Sequence, residues 1–421
     1  MIKGLVLAGL LLTPSLAFAD TLAITHAEAW PMDGRGKVAD ATIVVRDGKM
    51  VSVTAQGAVP SGARVIDAGG RMVTPGLMNS ATQLGLVETG QADETNDMSD
   101  SNATLGASFD VQYALNANSV LLPVVRADGV TRAVTYPGAS GSAPFMGQGA
   151  VLRLVEANDI LDAAQSALYV QIGSGTLAAS GGSRSGQWQL LRNALSDARD
   201  NAAAKVKSTT GNHRDLEATG RVLDGTIPLV IVTERESDIR QAIALAGDYK
   251  IRVVIMGGDE AWRCAGELAA AKIAVVLDPM DNLPISFDVV GARFDNAALL
   301  DKAGVELGFY SSGNTIYLSY NAGEAMREAA GLAVANGLPY DKALLAMTVE
   351  PAKIFGISGH YGTLTPGMDA DLVIWEGDPL EPGNYPYKVF VKGDEASLTT
   401  RQTLLRDRYA KPDALPPVYH K

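Results

Sequence analysis

Few side chains in this chain are equipped for chemistry, and they are scattered. The 421 residues hold four histidines, His26, His213, His360 and His420, and one cysteine, Cys264. No histidine lies near Cys264 in sequence, so neither a Cys-His nor a Ser-His-Asp arrangement assembles. Within Glu260-Ala-Trp-Arg-Cys-Ala-Gly-Glu267 the thiol falls in a helical pattern and reads as a small apolar packing group. Carboxylates remain. Glu88 and Glu234 each follow an apolar strand-like run, and two such groups facing one another would divide the roles of acid and base. Residues 91–101 carry Asp93, Glu94, Asp97 and Asp100 without the spacing of a calcium loop, and read as a solvated acidic loop. Residues 173–186, rich in Gly and Ser beside Arg184, lack the Gly-Lys-Ser/Thr ending of a phosphate loop and read as a connector or lid.

These residues must be positioned by a fold, and the pattern along the chain specifies one. Residues 21–73 alternate short runs with turns, and Asp47-Gly48 between two runs is a hairpin signal, so a small all-β unit is expected. The same texture returns at residues 370–375 and 387–391. The middle alternates buried-strand runs with helical stretches, the mark of a parallel α/β fold. Strands are expected at residues 72–78, 130–135, 150–154, 168–172, 229–233, 252–256, 273–277 and 305–310, and helices at 187–206, 237–246, 259–271, 296–303 and 322–335. Eight strands fit a TIM-like (β/α)8 barrel, whose reactive face lies beyond the C-terminal strand ends. On that scheme His213 precedes its strand and falls on the opposite face.

Two motifs carry a family resemblance. Val73-Thr-Pro-Gly-Leu-Met-Asn-Ser-Ala-Thr-Gln-Leu-Gly85 resembles the first barrel strand of the amidohydrolase superfamily, Pro-Gly-Leu/Phe-Ile-Asp-x-His-x-His. Thr348-Val-Glu-Pro-Ala-Lys-Ile-Phe-Gly356, followed by Gly362-Thr-Leu-Thr-Pro-Gly-Met-Asp-Ala-Asp-Leu-Val-Ile-Trp375, resembles the segment leading from the barrel to the closing half of the flanking sheet domain. The imidazolonepropionase-like branch is the nearest. The resemblance implies a barrel at 75–360, a composite β-sandwich from 20–74 and 361–395, and a tail at 396–421. It implies a hydrolase of cyclic amide or amidine C–N bonds, using zinc or another divalent metal.

The family's ligand positions hold other residues here. Alternate strand residues point the same way, so His-x-His sets two imidazoles on one metal. Aligned on Pro75-Gly76, those places fall on Ala81 and Gln83. The fourth strand offers Gln171, the fifth Val232 and Glu234, the sixth Met256 or Gly257, and the eighth Ser311 or Ser312 where the family has Asp. No metal site and no cofactor are therefore expected, and hydrolysis by the family mechanism loses its means of activating water. The alternative is an inactive ligand-binding or partner-stabilising protein on the same scaffold. Its pocket would be lined by Gln83, Glu234, Ser311, Ser312 and Asn314, hydrogen-bonding groups suited to a small polar molecule in the barrel mouth.

Composition bounds the setting. Lys3, the apolar stretch to Leu12 and the Ala17-Phe18-Ala19 box read as a signal peptide over residues 1–19, which predicts a periplasmic protein. A net charge of −12 argues against nucleic acid and anionic membrane partners. A homo-oligomer, or a hetero-oligomer with an intact homologue, is compatible with the chain.

Overall fold

A computed structural model describes residues 21–89, 92–100, 105–204, 213–311 and 320–410. Residues 1–20, with the expected signal peptide, lie outside it.

Five strands open the chain: β1 (Thr21–Ala29), β2 (Val38–Arg46), β3 (Lys49–Ala55), β4 (Arg64–Asp67) and β5 (Met72–Pro75). Asp47 and Gly48 both take positive φ, 51° and 72°, the geometry of the two-residue hairpin that pairs Arg46 with Lys49. β5 then leaves this sheet at Gly76. A Cβ at Gly76 would lie 2.1 Å from Thr131 Oγ1, so the close approach of a neighbouring strand requires glycine. The expected strand at 72–78 is thus two strands in two sheets.

The barrel comprises β6 (Leu77–Thr82), β7 (Val130–Thr135), β8 (Phe145–Arg153), β9 (Leu161–Gln171), β10 (Leu229–Thr233), β11 (Val253–Gly257), β12 (Ala274–Leu277) and β13 (Leu307–Phe309). These eight strands form one sheet in sequence order, and β13 comes round to β6, where Gly308 meets Ser80. It is a nearly closed barrel, with one departure from the all-parallel expectation. β8 runs antiparallel to both β7 and β9, so the third and fourth strands are a hairpin, not a βαβ unit. Twelve residues, 172–183, separate β9 from α2 (Arg184–Ala204), and no helix separates β8 from β9.

Around the barrel stand α1 (Leu122–Ala127), α2, α3 (His213–Leu223), α4 (Glu236–Tyr249), α5 (Ala265–Ala270), α6 (Asn296–Ala303), α7 (Glu324–Ala335), α8 (Tyr340–Leu345) and α9 (Val349–Ile354). Strand alternation divides two cores. Leu229, Ile231 and Ile255 face these helices, whereas Val230, Val254, Met256 and Val276 face the barrel axis. Cys264 is fully buried in the outer core.

The chain returns through β14 (Leu372–Trp375), β15 (Pro386–Val391) and β16 (Asp394–Ala396), and β14 pairs antiparallel with β5. Both ends of the chain therefore share one eight-stranded sheet. Trp375 donates to Thr74 Oγ1 at 2.9 Å and covers Gly129, just before β7. Beside it, Arg132 of β7 is fully buried among three carboxylates: Asp162 at 2.9 Å, Asp369 at 3.1 Å, and Asp371. α10 (Arg401–Tyr409), capped by Thr400, follows on the surface.

Candidate active site at the barrel mouth

β10 ends at Thr233 and delivers Glu234 to the C-terminal rim of the barrel. The carboxyl of Glu234 lies flat against Gly257, where a Cβ would be 2.1 Å from Oε1. Gly257 also takes φ +92°, so its place requires glycine for both space and conformation. The turn that follows β11 brings Asp259 round, and its backbone N–H donates to Glu234 Oε2 at 3.2 Å.

Burial pushes Glu234 up from the usual carboxylate range, only partly offset by the Asp259 N–H. Asp259 is raised too, first by burial and then by the Glu234 charge beside it. Asp281 and Asp288 also push Glu234 up, so burial and neighbouring negative charge together favour the protonated forms of these two carboxyls. Glu260, next in line, is a structural group: its carboxylate accepts the N–H of Glu236 at 3.0 Å and of Gly291 at 2.8 Å.

Glu234 opens onto a cavity of about 130 Å³ lined by Gln171, Ser174, Val232, Arg235, Asp238, Ser286 and Asp288, among others. That is room for a few waters or one small polar molecule. Its ion pairs are already made. Arg184 bridges Asp238 and Asp288, and Asp288 also accepts the Ser174 N–H at 2.8 Å. The Gly- and Ser-rich segment with Arg184 is therefore engaged with carboxylates of the rim.

Toward the barrel axis the lining changes character. Ala81, Met78, Tyr136, Tyr169, Met256 and Tyr310 form one buried cluster, with Val232 packed against it. Tyr136 and Tyr169 stack with centroids 5.5 Å apart. Tyr310 is held far above the usual tyrosine range, by burial first and by the charge of Glu234 second. Ser80 Oγ, Tyr169 Oη and Ser311 Oγ are buried without hydrogen-bond partners. Such hydroxyls call for a water or a ligand group.

The residues singled out from sequence thus fall into separate settings. Gln83 is buried in the turn after β6, where its carbonyl accepts the N–H of Leu86 and of Val87. Glu88 sits on the satellite cluster of Leu86, Val87 and Val111 and accepts from Asn116 at 3.3 Å. Its neighbours are not those of Glu234, which accepts the Asp259 N–H. Ser311 is buried near the rim, and Ser312 and Asn314 lie outside the described residues. Asp259, Asp288 and the three tyrosines went unmarked in the sequence, although Gly257-Gly258 before Asp259 is a turn signal.

A divalent metal of the kind the family uses does not fit this lining. On the alignment above, the family's ligand positions fall at Ala81, at Val232 or Glu234, and at Met256 or Gly257, and of these Ala81, Val232 and Met256 belong to the apolar cluster that also holds the stacked tyrosines.

The amidohydrolase family model matches residues 260–396. An amidohydrolase, tasK, of Hapsidospora irregularis is 38% identical over 88 residues, 20% of this chain and 9% of that protein. The chain spans less than a tenth of that relative's length. Among solved structures, an amidohydrolase from Thermotoga maritima superposes with a TM-score of 0.79 at 24% identity, over 89% of this chain and 99% of that one. A putative prolidase from Bifidobacterium longum gives a TM-score of 0.55 at 19% identity, over 93% and 99%.

Proposed function

We propose that this chain is a periplasmic protein of the amidohydrolase family that binds a small polar molecule at the barrel mouth without the family's metal-dependent hydrolysis, a reading supported by the family-model match at residues 260–396 and the likeness in fold. Its place is nearest the imidazolonepropionase-like branch. The observation that carries this reading is the apolar and aromatic lining of Ala81, Val232, Met256 and the Tyr136–Tyr169 stack. Glu234, at the rim of a cavity of about 130 Å³, supplies the acceptor, and Gln171 an amide beside it. The ligand class is that of cyclic amides, N-acyl amino acids or dipeptides, whose amides match a carboxyl and a carboxamide.

Calorimetric titration with a panel of those three classes tests this reading. At least one is expected to bind at neutral pH, and Glu234→Gln to weaken it about tenfold or more, the worth of a charge-assisted hydrogen bond. A panel with no binder, or a binder indifferent to Glu234→Gln, contradicts it. A second reading rests on Glu234 and Asp259: two carboxyls raised by burial at one rim turn provide an acid and a base for metal-free hydrolysis. Turnover in metal-free buffer that disappears in Glu234→Gln would select that reading.

A further inference from the structure

The loop of residues 279–295, between β12 and α6, is anchored at several points and exposes apolar side chains at others. Ser286 and Asp288 line the mouth cavity, and Gly291 is tied by the carboxylate of Glu260 and by the indole N–H of Trp262 at 2.9 Å. Leu283, Ile285 and Phe287 are 64%, 85% and 94% exposed, and Met280, Val290 and Phe294 between 38% and 59%. Taking about 200 Å² for a fully exposed side chain of this size, the six present roughly 700 Å² of apolar surface. The largest apolar patch on an ordinary monomer is about 300–600 Å².

We propose that this loop is the dimerisation surface of the protein, each copy covering the loop of a second copy across a two-fold axis. Area points to that occupant. Two such patches buried together give roughly 1,400 Å², within the range of about 1,200–2,000 Å² for a specific interface, so no further surface is required. An apolar patch is also complementary to itself, as a two-fold contact demands. An anionic membrane surface fits poorly, because the chain carries a net charge of −12. Because Ser286 and Asp288 belong to the same loop, the second copy stands over the mouth. The proposal is independent of what the mouth binds.

Sedimentation velocity on the full chain across about 1–100 μM tests it. A monomer–dimer equilibrium is expected, tightening as salt screens the repulsion between two acidic chains. Ile285→Glu with Phe287→Glu should raise the dissociation constant roughly a hundredfold or more, since central apolar anchors dominate such interfaces. Both side chains are in solvent, so the variant keeps the parent circular dichroism. Leu404→Glu, on exposed α10, should leave association unchanged. A monomer at every concentration, a dimer that survives the double substitution, association only with a different protein, or a monomer that floats with phospholipid vesicles would each overturn the proposal.

Discussion

Arg132→Met is expected to destabilise the protein by about 3–5 kcal/mol, the usual cost of removing one partner from a buried ion cluster. Arg132 is fully buried and spreads its five donors over Asp162, Asp369, Asp371 and the Thr131 carbonyl, with its guanidinium 5.0 Å from the Tyr361 ring. Burial works against its charge, and the surrounding carboxylates more than offset it. Some of those carboxylates have other partners: Lys49 reaches Asp369 at 2.7 Å, and Arg153 and His360 reach Asp162 at 3.2 and 3.1 Å. Asp371 is held besides by uncharged groups, the Lys392 N–H at 2.8 Å and the Thr131 hydroxyl, so it is the one left most exposed to the loss. Arg132→Lys keeps the charge but not the planar fork, and should fall between wild type and Met. Denaturant unfolding of the three proteins measures the series. A loss under about 1 kcal/mol for Met would mean that the cluster contributes no more than a surface pair.

Stability should fall as pH rises from about 4 through neutrality. Asp128 and Glu350 are each pushed up to about 7, in both cases mainly by burial. Around Asp128, Arg327 pulls the other way; around Glu350, the Leu307 N–H does. Glu234 and Asp259 are raised by the causes described at the mouth. In the unfolded chain all four ionise near pH 4, whereas the folded protein keeps their protons until higher pH. Folding then binds protons across this window, so its free energy becomes less favourable with each unit of pH, by several kcal/mol in total at order of magnitude. Carboxylates held low by partners, such as Asp162, act in the opposite sense below that window. Unfolding free energies at pH 4.5, 6 and 7.5 should decline for wild type and decline less for Asp128→Asn with Glu350→Gln. A flat or rising profile in wild type contradicts this.

The scaffold was legible because its signals are local. Asp47-Gly48 makes a hairpin whatever lies around it, and apolar runs placed seven of the eight barrel strands within a few residues of where they lie. What was not legible depends on contacts distant in sequence. An apolar run carries no direction, so the antiparallel β8 looked like any other buried strand. The break at Gly76 is imposed by Thr131, more than fifty residues away. At the mouth, alignment put Ala81 and Gln83, Val232 and Glu234, and Met256 or Gly257 at the family's ligand positions, but period-two reading alone did not show that Tyr136 and Tyr169 stack in the cluster that holds Ala81, Val232 and Met256. Likewise Glu234 was visible as a carboxylate after a strand, while Asp259, its partner, follows a glycine turn in a segment that read as the start of a helix.

Metal content decides most directly whether the mouth works by the family's chemistry. The purified protein would be incubated with excess zinc, manganese or iron, desalted, and measured by elemental analysis alongside hydrolysis of the amide panel. From the apolar and aromatic lining that holds Ala81, Val232 and Met256, the account predicts well under one ion per chain and no metal-dependent turnover. One or two ions per chain, with turnover that follows the metal, would contradict it.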